Sequence, residues 1–314
     1  MNDRNDKSQN RSARGQNDKN GKGKRPYDNR APRPHAPQPK RAPMNDGEEL
    51  RDFSRPSGQE EIGNGAVIGR NAVRELLNSE RTVDKLLVRR GDREGSIVVL
   101  IAQAKEKGIP VIEVDRTKLD EMAGTAPHQG IIALAAEKDY VEPEDILRIA
   151  EERGEPPLIA IADGITDPYN LGALIRCAEG LGAHGLIIPK RRAVGLTPLV
   201  TKASAGAIEH LAVAKVTNLA QTVKMLQERG VWVYAAEAGG SDYDKTNFRG
   251  PCALIFGSEG DGVSALLKER CDGIVSIPMK GKVNSFNVST AAAILLAEAA
   301  RQHRMAAIEQ GGEG

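Results

Sequence analysis

From residue 158 onward, short apolar runs alternate with helix-length amphipathic stretches, and no other feature restricts the fold as much. Strands are expected at 158–162, 185–188, 211–216, 231–235, 253–256 and 273–277. Helices are expected between them at 172–180, 198–207, 219–228 and 263–269, and an Ala-rich helix from Val288 to about His303 closes the pattern. The strand runs are apolar on both sides, as a parallel sheet covered by helices on both faces requires. The reading is an α/β domain over 158–304, followed by a flexible tail at 305–314.

A shorter alternation precedes it. Val73, Leu76 and Leu77 mark a helix at 71–78, followed by a strand at 85–88. Ser96 is placed to cap a helix at 97–107 that stops at Gly108. A strand at 111–114, a helix at 118–123 and a strand at 130–135 complete a small α/β domain over 63–137. Its one polar cluster is His128-Gln129-Gly130, which reads first as a turn ahead of a strand. Residues 138–157 are charged, contain Pro143, Pro156 and Pro157, and read as a linker with a helix-compatible middle at 146–150.

Composition matters most at the N-terminus. The formal net charge of +1 averages two unlike parts: residues 1–45 carry +8, and the rest of the chain carries −7. Only seven residues of the first 45 are apolar, too few to offset the entropy of ordering them. Residues 1–62 are therefore expected to be a disordered basic arm with an acidic spacer. No run reaches the roughly 18–20 apolar residues of a membrane span. The N-terminus also lacks the apolar core of a secretory signal. Cys177, Cys252 and Cys271 are odd in number and lack CxxC spacing, which fits reduced thiols in a cytoplasmic protein. The five His are scattered without zinc spacing, so no metal is expected. Only ten aromatic residues argue against a base-stacking platform.

Three segments place polar groups where ligands sit in open α/β sheets, beyond the carboxyl ends of strands. The first runs from Asp163 through Asp167-Pro168-Tyr169-Asn170-Leu171-Gly172 to Arg176. Asn170 is suited either to capping the following helix or to a site. Arg176, among Leu174, Ile175 and Cys177, calls for a partner or a ligand. The second is Phe256-Gly257-Ser258-Glu259-Gly260-Asp261-Gly262, whose glycines let backbone approach a ligand. It is neither a dinucleotide fingerprint nor a phosphate-cradling loop, and a plain glycine turn is an open alternative. The third is Ile277-Pro278-Met279 followed by Asn284-Ser285-Phe286-Asn287-Val288-Ser289. Ser285 or Asn287 can cap the last helix, yet two amides and a hydroxyl within four residues exceed what one cap needs.

In this order and spacing the three segments resemble the motifs of the SpoU (TrmH-type) RNA ribose 2′-O-methyltransferases. The matches are Asp-Pro-x-Asn-x-Gly-x-x-x-Arg, Phe-Gly-x-Glu-Gly-x-Gly and Ile-Pro-Met…Asn-Ser-Phe-Asn-Val-Ser. They depart from the family pattern at no polar position, and Phe286 stands where Leu is common. The preceding domain is similar to the family's small L30e-type RNA-binding domain. The two-domain layout is similar to that of the bacterial 23S rRNA guanosine 2′-O-methyltransferases.

The resemblance implies a trefoil-knotted (SPOUT-type) α/β domain acting as a homodimer, with the site completed across the interface. It implies S-adenosyl-L-methionine held largely by main chain at Gly257, Ile277 and Phe286. It implies a guanosine ribose in 23S rRNA as substrate, with Arg176 as proton acceptor or phosphate holder. Glu259, Ser285 and Asn287 would then orient Arg176 and the ribose, and Asn170 would brace the loop. The basic arm would add salt-sensitive phosphate contacts. Two alternatives are a SpoU-type enzyme acting on tRNA or another rRNA ribose, and a non-catalytic RNA-binding protein with a degenerate knot domain. A nucleotide-dependent dehydrogenase lacks its glycine fingerprint here.

Overall fold

The structure, a computed structural model, describes residues 63–91 and 95–311. The expected basic arm and spacer at 1–62 lie outside the described residues.

The small domain contains β1 (Ala66–Ile68), α1 (Arg70–Asn78), β2 (Val83–Arg89), α2 (Ser96–Glu106), β3 (Val111–Val114), α3 (Arg116–Ala123) and β4 (Ile131–Ala135). Its sheet has the order β1-β4-β2-β3, with β2 and β3 parallel and the β4 pairings antiparallel. The three-residue strand β1 is a finding that the apolar pattern did not single out. Ser96 opens α2 from inside the helix. The residue before it is Gly95, no side chain caps the end, and the Ser96 hydroxyl instead accepts a hydrogen bond from Arg70 Nη1 at 3.4 Å.

Within the expected linker lies a true helix, α4 (Pro143–Arg153). Glu142 and Asp145 cap it reciprocally, Pro143 supplies the pre-set first-turn φ, and Gly154 ends it in the left-handed conformation. The segment is helical because Ile146 and Ala150 are fully buried on one face.

The larger domain follows as β5 (Leu158–Asp163), α5 (Pro168–Gly180), β6 (Gly185–Pro189), α6 (Pro198–Ala203), β7 (Ala212–Val216), α7 (Leu219–Glu228), β8 (Trp232–Asp242), β9 (Cys252–Gly257), α8 (Ala265–Arg270), β10 (Gly273–Ser276) and α9 (Val288–Gly311). Its six-stranded sheet has the order β10-β8-β9-β5-β6-β7, and every pairing is parallel. Alternate β5 residues serve two cores. Leu158, Ala160 and Ala162 join the side covered by α5, α6 and α9, whereas Ile159 and Ile161 join the side covered by α4, α7 and α8. Burial on both faces explains the unbroken apolar strands.

Some boundaries differ from expectation for local reasons. Helix α6 is shorter than 198–207: it stops at Ala203, and Ala207–Glu209 forms a separate 3-10 turn after Ala205 and Gly206 take positive φ. Strand β8 is longer than 231–235. It pairs with β10 at Ala235↔Ile274 and again at Ser241↔Val275, so 236–240 bulge out of the ladder between. Helix α9 continues to Gly311, so most of the expected flexible tail is helical.

The small domain docks on α6 and the turn after it. Leu199 packs into the core formed by Ile68, Leu119, Met122 and Ile132. Arg81 Nη1 meets Glu209 Oε1 at 2.7 Å, with both side chains nearly or fully buried. Burial lowers the Lys138 pKa, partly offset by Glu209 nearby. A buried pair left with one partner missing is strongly destabilising, so losing either side chain would weaken the contact between the domains.

Helices α5 and α6 approach at Gly172, the glycine of the first motif. A Cβ there would lie 2.4 Å from Ala203 Cβ and 2.9 Å from both Ser204 N and Val200 O. Gly172→Ala is expected to lower unfolding free energy by about 1–3 kcal/mol through this overpacking. Equilibrium chemical denaturation measures it, and wild-type stability in the variant would show that α6 yields freely.

Candidate active site

The in-register pair Asp163↔Gly257 brings the first two motif segments to one edge of the sheet. After Asp163 the chain turns through Gly164 and enters α5. Asp167, not Asn170, caps that helix: its Oδ2 accepts from Asn170 N at 2.9 Å, with Pro168 at the first helical position. The Asn170 side chain is thereby free of capping and donates from Nδ2 to Glu259 Oε1 at 2.8 Å.

The loop after β9 folds back on itself. A Cβ on Gly257 would lie 2.0 Å from the Gly262 carbonyl carbon, and one on Gly262 would lie 2.4 Å from Glu237 Oε2. Both glycines therefore serve the loop's own closure. Glu237 Oε2 also accepts from Val263 N at 3.1 Å, and Asp163 Oδ2 accepts from Ser264 N at 2.8 Å. These bonds hold Glu259 out at the loop tip.

The third segment supplies Asn287, which does cap α9. Its Oδ1 accepts from Ser289 N at 2.9 Å, which orients the amide nitrogen toward the other two motifs. Asn287 Nδ2 donates to Glu259 Oε1 at 2.6 Å and to Asn170 Oδ1 at 3.0 Å. Glu259 thus collects an amide from each of two distant segments on a single carboxylate oxygen.

This cluster stands between two cavities, both of which include Ser258, Glu259, Gly262 and Val288 in their walls. The first, about 670 Å³, is lined by Gly257, Ile277, Met279, Ser285, Phe286 and Leu295, together with the bulged part of β8. All three residues expected to hold a cofactor, Gly257, Ile277 and Phe286, meet there, as does Ser285. The second cavity, about 780 Å³, is lined by Asp163, Thr166, Asn170, Arg191, Arg192 and Glu259, among others.

Arg176 is elsewhere. It is exposed on α5, lines neither cavity, and has no hydrogen-bond or ion-pair partner among the described residues. The partner that its apolar sequence neighbours called for is not within this chain's described residues: Leu174 and Ile175 face the core while Arg176 points to solvent. His128 is held in a turn, with Nε2 2.9 Å from Asp120 Oδ1 and Nδ1 accepting from Gly130 N. Among the described residues no group of three or more His, Cys, Asp or Glu could hold a metal ion. All three cysteines are free thiols. Burial pushes the Cys252 thiol up to about 12 and raises Cys177 despite the adjacent Arg176. Neither is therefore a thiolate nucleophile at neutral pH. Among the described residues no helix is long and apolar enough to cross a membrane.

Residues 157–297 match the SpoU rRNA methylase family, and residues 66–141 match the RNA 2′-O ribose methyltransferase substrate-binding domain. YacO of Bacillus subtilis (strain 168), assigned to the TrmH family of tRNA/rRNA methyltransferases, is 47% identical over 237 residues, covering 75% of this chain and 95% of YacO. The chain belongs to the SpoU (TrmH) family of RNA methyltransferases. A family member from Staphylococcus haemolyticus (strain JCSC1435), with the same assignment, is 42% identical over the same share of each chain. Among solved structures, the SpoU methyltransferase AviRb from Streptomyces viridochromogenes, in complex with AdoMet, superimposes with a TM-score of 0.64 at 25% identity, covering 76% of this chain and 90% of that one. An RNA 2′-O ribose methyltransferase gives 0.64 at 26% identity, covering 76% and 88%.

Sequence reasoning assigned no role to four residues that shape or line these cavities: Asp167, Glu237, Arg191 and Arg192. Asp167 was signalled by the Asp-Pro pair, an N-cap followed by a first-turn proline. The bonds of Glu237 run through a β-bulge that no periodicity marks. Arg191 and Arg192 were visible as a basic run after a strand, with nothing to say which cavity they reach. Removing the shared acceptor in Glu259→Ala should release the loop tip from Asn170 and Asn287, which keep only their own 3.0 Å bond. Hydrogen exchange is expected to rise at 258–262 and 284–287, while global stability changes by no more than about 1 kcal/mol because the carboxylate is exposed. Glu259→Gln, which keeps Oε1, should restore most protection. Unchanged exchange in the Ala variant would mean the cluster holds nothing together.

Proposed function

We propose that this SpoU-family protein transfers a methyl group from S-adenosyl-L-methionine to the 2′-hydroxyl of a guanosine in 23S rRNA, acting as a homodimer. The observation that carries the reading is the Asn170–Glu259–Asn287 cluster between two cavities at the carboxyl edge of the sheet. The first cavity fits the methyl donor in size and character. At about 670 Å³ it falls in the range of small-molecule sites. Ile277, Phe286 and Leu295 offer apolar surface to a purine, and the backbone at Gly257 and Ile277 offers the donors and acceptors of its edge. The donor supplies an electrophilic methyl on a sulfonium, so the reaction requires alignment and removal of one proton from a weakly acidic ribose hydroxyl.

The residues of this chain divide that work. Glu259 fixes the two amides, and the cluster so made forms the wall next to which the ribose is aligned. Ser285 is exposed and has no hydrogen-bond partner among the described residues, leaving its hydroxyl available to a ligand. Arg176 acts from the partner protomer, holding the phosphate beside the target while the proton passes to phosphate or water. A guanidinium with pKa above about 12 is better suited to that than to being the base itself. The 23S target is supported by the two-domain layout, with an RNA substrate-binding domain docked on the catalytic one.

The test supplies labelled S-adenosyl-L-methionine and total unmodified RNA, then maps the ribose that resists alkaline cleavage. Label at one guanosine of 23S rRNA is expected. Label confined to tRNA, or on a base, would overturn the substrate. Arg176→Ala should lower transfer by about 10²-fold or more, with methyl-donor affinity within a few-fold of wild type. Full turnover in that variant would remove Arg176 from the mechanism.

A further inference from the structure

The second cavity contains two cations that the family motifs do not include. Strand β6 ends at Pro189, and Lys190, Arg191 and Arg192 follow it directly. Arg191 and Arg192 line the same cavity as Asn170 and Glu259. Among the described residues, neither side chain has an ion-pair or hydrogen-bond partner, and both are exposed. The carboxylates around them are largely engaged: Asp163 by Ser264 N, Asp167 by Asn170 N, and Glu259 by two amides. Asp261 adds one more acidic group to the wall. The two guanidiniums are therefore open to an anionic ligand, while the carboxylates, still charged, are held in place by amide donors.

The loop bearing these arginines is held in place. Lys190 N donates to Val216 O at 2.7 Å, and Val194 N donates to Ile165 O at 3.1 Å, inside the first motif segment. Between these anchors Arg192 has φ 57°, a left-handed conformation that side chains other than Asn, Asp and Gly adopt rarely. A long cationic residue thus keeps a backbone conformation that disfavours it, next to motif residues and with no protein partner. Such departures from local preference are found where a site requires them.

We infer that Arg191 and Arg192 form a phosphate clamp for the RNA strand, binding the phosphates that flank the nucleotide entering the second cavity. The inference rests on the proposed RNA methylation and assigns to it positioning residues outside the three motifs. Guanidinium forks suit phosphate because they offer paired donors in one plane. Phosphates held on the β6 side would be kept away from the carboxylates of the opposite wall, with the ribose turned toward the cluster.

The experiment measures methyl transfer by the full-length protein as a function of RNA concentration and salt. The variant is Arg191→Ala/Arg192→Asn, because Asn tolerates the positive φ and keeps the loop intact. KM for RNA is expected to rise about tenfold or more, as charge-assisted bonds to phosphate are lost. The slope of log KM against log salt should fall by about 1.4–1.8, the value for two phosphates. Affinity for S-adenosyl-L-methionine should stay at the wild-type value, which also reports the fold. Arg191→Lys/Arg192→Lys should recover the salt slope with an intermediate KM, since charge returns without the planar fork. Wild-type KM and slope in the Ala/Asn variant would overturn the clamp while leaving the methyltransferase reading standing. Absence of transfer to any RNA by the wild-type protein would overturn both.

Discussion

Six consecutive residue pairs tie β5 to β9, from Leu158↔Cys252 to Asp163↔Gly257. Because the two strands are parallel and in register, they leave the sheet at the same level. The loops after them meet although they are almost a hundred residues apart. Everything at the site follows from this pairing: Asp163 can reach Ser264 N, Asn170 can reach Glu259, and the start of α9 can close the cluster. The pairing is secure because these strands lie at the centre of a sheet buried on both faces, where nearly every β5 side chain is fully enclosed. A slip of one residue would exchange the two faces of β5 and place isoleucines where alanines must fit under α5 and α9.

The glycines at the site then divide into two physical kinds. Gly172 and Gly257 are required because another part of the chain occupies the space of a side chain, and Gly262 for that reason together with its φ of 66°. Gly260, at φ 120°, has nothing within 4 Å of its absent Cβ, so its need is conformational, with open space beside it. Motif glycines invite the reading that backbone is cleared for a ligand. In this loop most of the clearance is for the loop itself, and the ligand-sized space lies beside it, bounded by Ile277, Phe286 and Leu295.

How much of this was legible in the sequence follows the same division. Apolar runs located the parallel sheet, because burial on both faces leaves a continuous signature in each strand. Helix α4 was read as linker because its helical signals, the Glu142–Asp145 cap and Gly154, sit among prolines that resemble a spacer. Strand β1 was missed because three residues are too few to show a period. Within the site, Asn170, Glu259 and Asn287 are brought together by the fold, and of the two roles open to Asn170 the cap of α5 falls instead to Asp167. That distinction is functional: an Asn170 spent on capping could not reach Glu259. Arg176 was expected among apolar neighbours, yet on a helix its sequence neighbours face other directions, and α5 turns it to solvent.

The position of Arg176 bears on assembly. Six helical steps lead to it from Asn170, about 9 Å along the axis and roughly 120° around it. One chain therefore offers the amide cluster and this guanidinium on different faces of α5, with Arg176 lining neither cavity. On our proposal a second protomer supplies the missing cation. Exposed apolar side chains at the starts of α5 and α9 and further along α9 would serve such a pairing. Tyr169 begins α5, Phe286 precedes α9, and Met305 and Ile308 lie toward its end, all at least two-fifths exposed. Helix α9 packs along α5, with the Cys177 thiol contacting Ser289 O at 3.8 Å, so a surface built from both helices would include the cluster and Arg176 together. A two-fold pairing through such a surface is self-complementary: each Arg176 would be delivered to the other chain as its own chain receives one.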